Sequence, residues 1–246
     1  MKNKIALITG SAKRLGKFTA IELARSGFDI VLHYNNSDKE KVEDTANEVS
    51  KFNTKVVAFK ADLSEVAEIK SLFYKLQYEF KDLNVLINNA GIFEGKDFFD
   101  IDEKFFDKFI NVNLKSYFFC SQSAAKLMMQ NDSAINHIVN MASLGGILNW
   151  TRFMPYGISK AGVIKLTKLL SVKLAPKILV NAIAPGTILT GEDENDNFNK
   201  DDIIKYPMKK FGDTDDISSV IKYLVIENKY ITGQIIAVDG GRSANI

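Results

Sequence analysis

The sequence predicts an α/β protein built on a doubly wound, mainly parallel sheet with helices on both faces. Three observations predict it. Short apolar runs, most of them rich in β-branched residues, recur along the chain, and longer stretches of helical periodicity separate them. The runs are apolar throughout, so both faces of the sheet need cover, and alternating helices supply it. The first run also leads straight into a glycine-containing turn, TGSAKRLG at 9–16.

The elements follow in order. KIALIT (4–9) reads as a strand, and Leu15 to Gly27 as a helix ending at a C-cap glycine. DIVLHY (29–34) is the second strand, followed by an amphipathic helix from Asp38 to Phe52. TKVVAFKAD (54–62) is the third, with a helix from Glu65 to Phe80. NVLINNAG (84–91) runs from strand into loop, and Asp102 to Met129 reads as helical. INHIVNMAS (135–143), a helix over Tyr156–Leu174, ILVNAIAPG (178–186) and QIIAVDGG (234–241) complete the alternation. The order is Rossmann-type and spans 1–246 as one expected domain, with ligands outside the carboxyl ends of the strands. GEDENDNFNKDD (191–202) has no apolar periodicity. Its place after the Pro185-Gly186 turn favours a substrate lid at about 187–210 over a plain surface loop.

Composition narrows the function classes. With 32 basic and 30 acidic residues the net charge is +2, which argues against a nucleic-acid or membrane-surface partner. Cys120 is the one cysteine, so neither a disulfide framework nor a cysteine metal site is expected. His33 and His137 are too few and too far apart for a metal cluster. No run is long enough for a signal peptide core or a membrane span, and a cytoplasmic protein is expected.

In TGSAKRLG, Gly10 permits a tight turn and Gly16 close packing at a helix start, where backbone N–H groups attract an anion. The usual dinucleotide fingerprint has a further small residue inside this turn, whereas here Lys13 and Arg14 precede Leu15. The second strand ends in Asn35-Asn36-Ser37, neutral donors where NAD-binding sheets commonly carry a carboxylate for the ribose 2′-OH. Asp38 is expected to cap the next helix instead. Cations facing neutral donors suit a 2′-phosphate, which a carboxylate would repel, so NADP(H) is the expected cofactor.

Four polar residues converge where strand ends should meet. Ser143 closes a strand, Tyr156 and Lys160 stand four apart on one helix face, and Asn113 lies in the preceding helical segment. Hydride transfer to a carbonyl needs a proton for the developing alkoxide and hydrogen bonds to hold it. A free tyrosine, with pKa about 10, is too weak an acid near neutrality, and a nearby ammonium would lower that value. Tyr156 is therefore the candidate acid, Lys160 its tuner and a ribose ligand, and Ser143 a donor to the substrate oxygen. Each alone has a plainer reading, as a cap, a turn residue or a chance pair; the joint pattern carries the chemistry.

Taken together, TGSAKRLG, Asp62-Leu63, Asn88-Asn89-Ala90-Gly91, Asn113, Ser143, Tyr156-x-x-x-Lys160, Pro185-Gly186 with Thr190, and TGQIIAVDGG resemble the short-chain dehydrogenase/reductase family over essentially the whole chain. The resemblance implies Asp62 on the adenine, Asn89 packed on the cofactor side of the sheet and Thr190 near the nicotinamide carboxamide. It also implies that Asn113 holds a water in a proton relay from Lys160, and that the protein is a homotetramer or dimer. A catalytically silent NADP(H)-binding regulator is the alternative, against which the complete set of four residues argues.

Within the family, AKRLG, LHY and Phe93 after NNAG resemble the pteridine reductases, whose arginine and aromatic at these positions hold the pterin. Those enzymes carry an aspartate where this chain has Ser143. A serine hydroxyl suits a carbonyl oxygen, as in the similar 3-oxoacyl-carrier-protein reductases. The expected substrate is thus a small carbonyl compound or acyl thioester, with a pterin as alternative. Phe93, Leu144, Ile147, Leu148, Trp150, Phe153 and Met154 are the candidate apolar wall. The acidic start of the lid disfavours an acidic carrier protein.

Overall fold

The computed structural model describes residues 3–133, 135–191 and 200–244. Seven parallel strands form the central sheet: β1 Ile5–Ile8, β2 Asp29–Tyr34, β3 Val56–Lys60, β4 Val85–Asn88, β5 Asn136–Met141, β6 Ile178–Pro185 and, last in the chain, β9 Ile235–Val238. Their spatial order is β3-β2-β1-β4-β5-β6-β9. Chain direction across the sheet reverses between β1 and β4, and that crevice is where doubly wound sheets bind ligands. A separate pair, β7 Ile188–Leu189 and β8 Gly212–Asp213, joins the two flanks of the stretch read as a lid. Residues 192–199 of that stretch lie outside the described residues.

The inner strands are buried on both faces, as their apolar runs require, and the edge strands β3 and β9 are only partly covered. Ile5 and Leu7 of β1 enter one core, with helix α3 (Val66–Phe80) and helix α5 (Ser116–Met128). Ala6 and Ile8 enter the other, with α1 (Arg14–Arg25), α2 (Lys39–Ser50) and α7 (Thr214–Lys222). That alternation is the two-residue period of a strand expressed as two hydrophobic layers. Helix α6 (Met154–Leu174) packs Val163 and Leu166 against Ala182 and Ala184 of β6.

The helix expected from Asp102 to Met129 is not uniform. Asp102 caps α4 (Glu103–Ile110) through the Phe105 N–H at 2.7 Å, and a π-turn at Asn111–Lys115 then joins α4 to α5. Such a turn inserts one extra residue and re-aims the side chains around it, commonly at functional sites. Here it carries Asn113. Helix α7, with its continuation through Tyr223–Glu227, is an element the sequence reading did not include. Asp38 stands at the N-cap of α2 as expected, but its side chain makes no capping hydrogen bond.

Candidate active site

A cleft of about 1000 Å³ opens at the carboxyl ends of β1 to β4. Gly10, Lys13, Arg14, Leu15, Gly16, Asn35, Asn36, Ser37, Asp62, Leu63, Asn89, Ala90 and Gly91 all line it. Local sequence explains how these loops hold their shape. Thr9 Oγ1 accepts the N–H groups of Asn89 (2.8 Å) and Ala90 (3.0 Å). Asn89 Nδ2 donates back to the carbonyls of Thr9 and Gly10 at 2.9 and 3.0 Å. Gly10 has φ +66°, and a Cβ on Gly16 would lie 2.2 Å from the Gly10 carbonyl oxygen. Both glycines are therefore obligatory, one for conformation and one for space.

Arg14 answers the irregularity inside TGSAKRLG. Its φ is +52°, the left-handed region that favours glycine. The backbone keeps the glycine conformation and the chain carries an arginine there anyway, at about 1–2 kcal/mol. Strain of this kind concentrates at functional sites. At the tip of β2 the structure puts no carboxylate in the cleft, since Asp38 is not among its lining residues. Asp62, just after β3, is one of the acids that line the cleft. Burial pushes its pKa up, but the Ser64 backbone and side chain and the Asn35 side chain outweigh that, leaving it below the ordinary value.

Gly91, on the wall of the cleft, adjoins the second group of residues. A Cβ on Gly91 would come within 3.3 Å of Asn113 Oδ1 and 3.7 Å of Lys160 Nζ. Ser143 follows β5, accepts the Gly145 N–H at 3.0 Å, and shares a hydrogen bond with the Tyr156 hydroxyl. Tyr156 and Lys160 share the first turns of α6. Lys160 Nζ donates to the Met141 carbonyl at 2.6 Å and lies 5.0 Å from the Tyr117 ring centroid and 5.9 Å from that of Tyr156.

The expectation that Lys160 tunes Tyr156 needs correction. Tyr156 is not held as a stronger acid by the lysine: burial raises its pKa, and Ser143 is the group that lowers it in part. Lys160 is itself desolvated, its pKa brought down to about 7, so near neutrality it carries only part of a charge. The Asn113 side-chain amide is engaged within the protein. Its Oδ1 accepts the Ile92 N–H at 2.8 Å, and its Nδ2 donates to the Ile92 carbonyl and to Ser159 at 3.0 and 3.3 Å. The side chain is a staple between the NNAG loop and α6.

Three comparisons with known proteins bear on this geometry. A family model described as enoyl-(acyl carrier protein) reductase matches residues 10–243. The 3-oxoacyl-[acyl-carrier-protein] reductase of Staphylococcus aureus is 34% identical over 242 residues, 97% of each chain. The chain belongs to the short-chain dehydrogenase/reductase family. Among solved structures, acetoin dehydrogenase from Enterobacter cloacae superposes with TM-score 0.90 at 32% identity, covering 100% of this chain and 98% of that one. The 3-oxoacyl-[acyl-carrier protein] reductase of Brucella melitensis, in complex with NAD, gives 0.91 at 28% identity, covering 99% and 98%. The protein is thus an oxidoreductase of this family.

In this short-chain dehydrogenase/reductase three residues of the expected apolar wall pack together beside Tyr156. Phe93 stacks on Phe153 with ring centroids 4.5 Å apart and meets Tyr156 edge-on at 4.8 Å. Trp150 packs against Phe153 at 6.2 Å. Leu144 is fully buried. The Lys96 N–H donates to the Arg152 carbonyl at 3.1 Å, tying the two wall loops together. On the far side, the Gly186 N–H donates to the Val238 carbonyl at 3.0 Å, holding the Pro185-Gly186 turn to β9. Thr190 Oγ1 is buried and has no hydrogen-bond partner among the described residues.

Sequence reasoning missed three residues of this region. Tyr117 packs on Lys160, and Tyr206 takes the Thr187 N–H at 3.1 Å and bonds the Thr187 hydroxyl at 2.9 Å. His33 bonds to Gly10. Tyr117 and Tyr206 sit in none of the motifs named above, His33 lies inside LHY with no role read for it, and only the fold brings the three to the site. Among the described residues no helix is long and apolar enough to cross a membrane, and no cluster of potential metal ligands occurs.

Proposed function

We propose that the protein is an NADPH-dependent reductase of a small carbonyl compound or acyl thioester. The observation that carries this reading is the Ser143–Tyr156–Lys160 arrangement, with Lys160 beside Gly91 of a cleft whose β2 tip offers Asn35, Asn36 and Ser37 and no carboxylate. The residues present fit a dinucleotide. Gly10 and Gly16 line the cleft at a helix start and let the turn pack without side chains, Lys13 and Arg14 supply cations for a 2′-phosphate, and the Thr190 hydroxyl, unpartnered among the described residues, suits a carboxamide. Asp62 takes the adenine end, and Leu63, Asn89, Ala90, Gly91, Pro185 and Gly186 complete the walls.

When bound, NADPH supplies a hydride to the carbonyl carbon. The protein's part is the oxygen. Ser143 donates a hydrogen bond to it, and Tyr156 gives its phenolic proton as the oxygen becomes an alkoxide, so carbonyl, hydride and proton make an alcohol. Lys160 orients the ribose beside the tyrosine and supplies positive charge that favours the phenolate left behind. Phe93, Trp150 and Phe153 bind the substrate's apolar part, and the stretch 187–210 covers it. The active form is a homo-oligomer, and no macromolecular partner is needed for turnover.

The names of the relatives support a ketone or 3-oxoacyl substrate, acetoin being a small free ketone. A pterin is the second reading, favoured by Phe93 beside Tyr156. The deciding experiment follows NADPH oxidation with acetoin, a 3-oxoacyl thioester and dihydrobiopterin, in the native enzyme and in Tyr156→Phe and Ser143→Asp. Turnover of a carbonyl substrate that Tyr156→Phe lowers by about 10²–10⁴-fold, with NADPH still bound, supports the mechanism. Unchanged turnover in Tyr156→Phe overturns it, and native activity confined to the pterin moves the assignment to the second reading.

A further inference from the structure

His33 lies on β2, only 2% exposed, directly beneath the phosphate turn. Its Nδ1 is 3.0 Å from the Gly10 N–H, and its Nε2 is 3.0 Å from the Ala61 carbonyl oxygen. The partners leave one tautomer. An amide N–H can only donate, so Nδ1 is an acceptor; a carbonyl oxygen can only accept, so Nε2 carries the proton. The backbone around the ring is tied to the same turn. The His33 N–H donates to Ser11 Oγ at 3.1 Å, and its carbonyl accepts the Ser11 N–H at 2.9 Å.

We propose that His33 is a positioning residue for the dinucleotide: its neutral ring fixes the Gly10 amide and couples the glycine turn to the tip of β3. Three segments that would grip the cofactor therefore share one support, namely Gly10 after β1, the Asn35–Ser37 tip that follows His33 on β2, and Asp62 beside Ala61. This rests on the dinucleotide reading above. An aliphatic side chain would fill the same volume but leave the Gly10 N–H without its acceptor.

The same geometry makes the support sensitive to acid. A proton on Nδ1 would set N–H against N–H at Gly10 and break the link. Burial holds the ring neutral by lowering its pKa, opposed by the Ala61 carbonyl and by the negative charge of Asp62. The charged groups around it are Asp62 from the β3 tip and Lys13 and Arg14 from the turn, all lining the cleft with His33. Because binding needs the neutral ring, dinucleotide affinity should fall as the pH drops through the lowered His33 pKa, below the ordinary histidine range.

The test measures NADPH dissociation constants by fluorescence from pH 8 to pH 4.5 for the native protein, His33→Leu and His33→Asn. The asparagine offers a non-titrating acceptor where Nδ1 stands. His33→Leu should bind NADPH about ten-fold more weakly or worse at neutral pH, and His33→Asn should recover most of the loss. The native protein should lose further affinity in acid, while His33→Asn keeps a flatter profile. Equal binding in all three, equal impairment of both variants, or parallel pH profiles in the native protein and His33→Asn would overturn the proposal. Amide hydrogen exchange at Gly10 without ligand separates this from the proposed function: slow in the native protein and His33→Asn, fast in His33→Leu. If the native protein binds neither NADPH nor NADH, the cofactor reading fails, and the exchange rates still decide what His33 does.

Discussion

The two halves of the cleft are built differently. In the dinucleotide half, main-chain groups of the glycine turn are held by Thr9, Asn89 and His33, with bonds of 2.8–3.0 Å. In the catalytic half, it is side chains that are fixed, in an enclosed setting: Lys160 and Asn113 are almost wholly buried and hydrogen-bonded, and an aromatic stack leans on Tyr156. The first arrangement fixes shape, which a phosphate needs from backbone donors. The second fixes polarity and proton affinity, which the chemistry needs. Perturbing the first should therefore show in cofactor affinity, and perturbing the second in pH dependence, turnover and substrate choice.

The largest expected effect concerns Lys160. Its folded pKa of about 7 lies below the unfolded value, so between about pH 7 and pH 10.5 the unfolded chain holds a proton the folded one has released. More protons on the unfolded state means stability that rises with pH across that window. Lys160→Met removes this dependence. Its stability relative to the native enzyme should be greatest at pH 7 and below and decline toward pH 10 by a few kcal/mol, on the order of 1.4 kcal/mol for each tenfold difference in proton affinity between the folded and unfolded lysine. Denaturant melts at pH 6, 8 and 9.5 check it, and parallel curves would show that the catalytic half carries no such cost.

Next in size is the double substitution Lys13→Ala/Arg14→Ala. It should reduce the preference for NADPH over NADH by about 10–100-fold, as expected for charge-assisted bonds worth about 1.5–3 kcal/mol, leaving NADH affinity near its native value. Competition binding of the two dinucleotides measures this. A similar loss for both would mean the charges shape the turn rather than read the 2′-phosphate.

Phe153→Ala should act on the other half alone. Removing one ring of the stack should raise KM for an apolar ketone by about ten-fold, the scale of an aromatic contact plus some lost burial, with the NADPH dissociation constant unchanged. Steady-state kinetics beside direct binding would separate the two. Weakened NADPH binding would break the division of labour between the halves.

The smallest effect is the most pointed. Arg14→Gly should raise stability by up to about 1 kcal/mol, since relief of the left-handed arginine is partly offset by glycine's unfolded-state entropy. NADPH affinity should fall in the same variant. Thermal melts with and without NADPH test both, and a destabilised variant would mean the side chain contributes more than its backbone costs.

Much of this was legible in the residues. DIVLHY is a strand over its full predicted span because both its ends carry turn chemistry, and the paired spacing of Tyr156 and Lys160 survives because one helix holds both. Helix α7 could have been read: Asp213 and Asp216 form a capping box before Ile217, Val220, Ile221 and Leu224 at helical spacing. The π-turn at Asn111–Lys115 has no such local mark, because it depends on Asn113 reaching Ile92 and Ser159 from elsewhere in the chain.

The sequence by itself determined the alternation of strands and helices, the glycine turn and the identities of Ser143, Tyr156 and Lys160, since these follow from local period and side-chain chemistry. Only the tertiary structure decided how those groups are tuned. Lys160 is brought down and Tyr156 pushed up by enclosure among residues distant in the chain. The arginine in the turn takes a glycine's backbone, and His33 becomes its support, because β2 and β3 lie beside β1 in the folded sheet. Desolvation and long-range hydrogen bonds are properties of neighbourhood, and neighbourhood is set by folding.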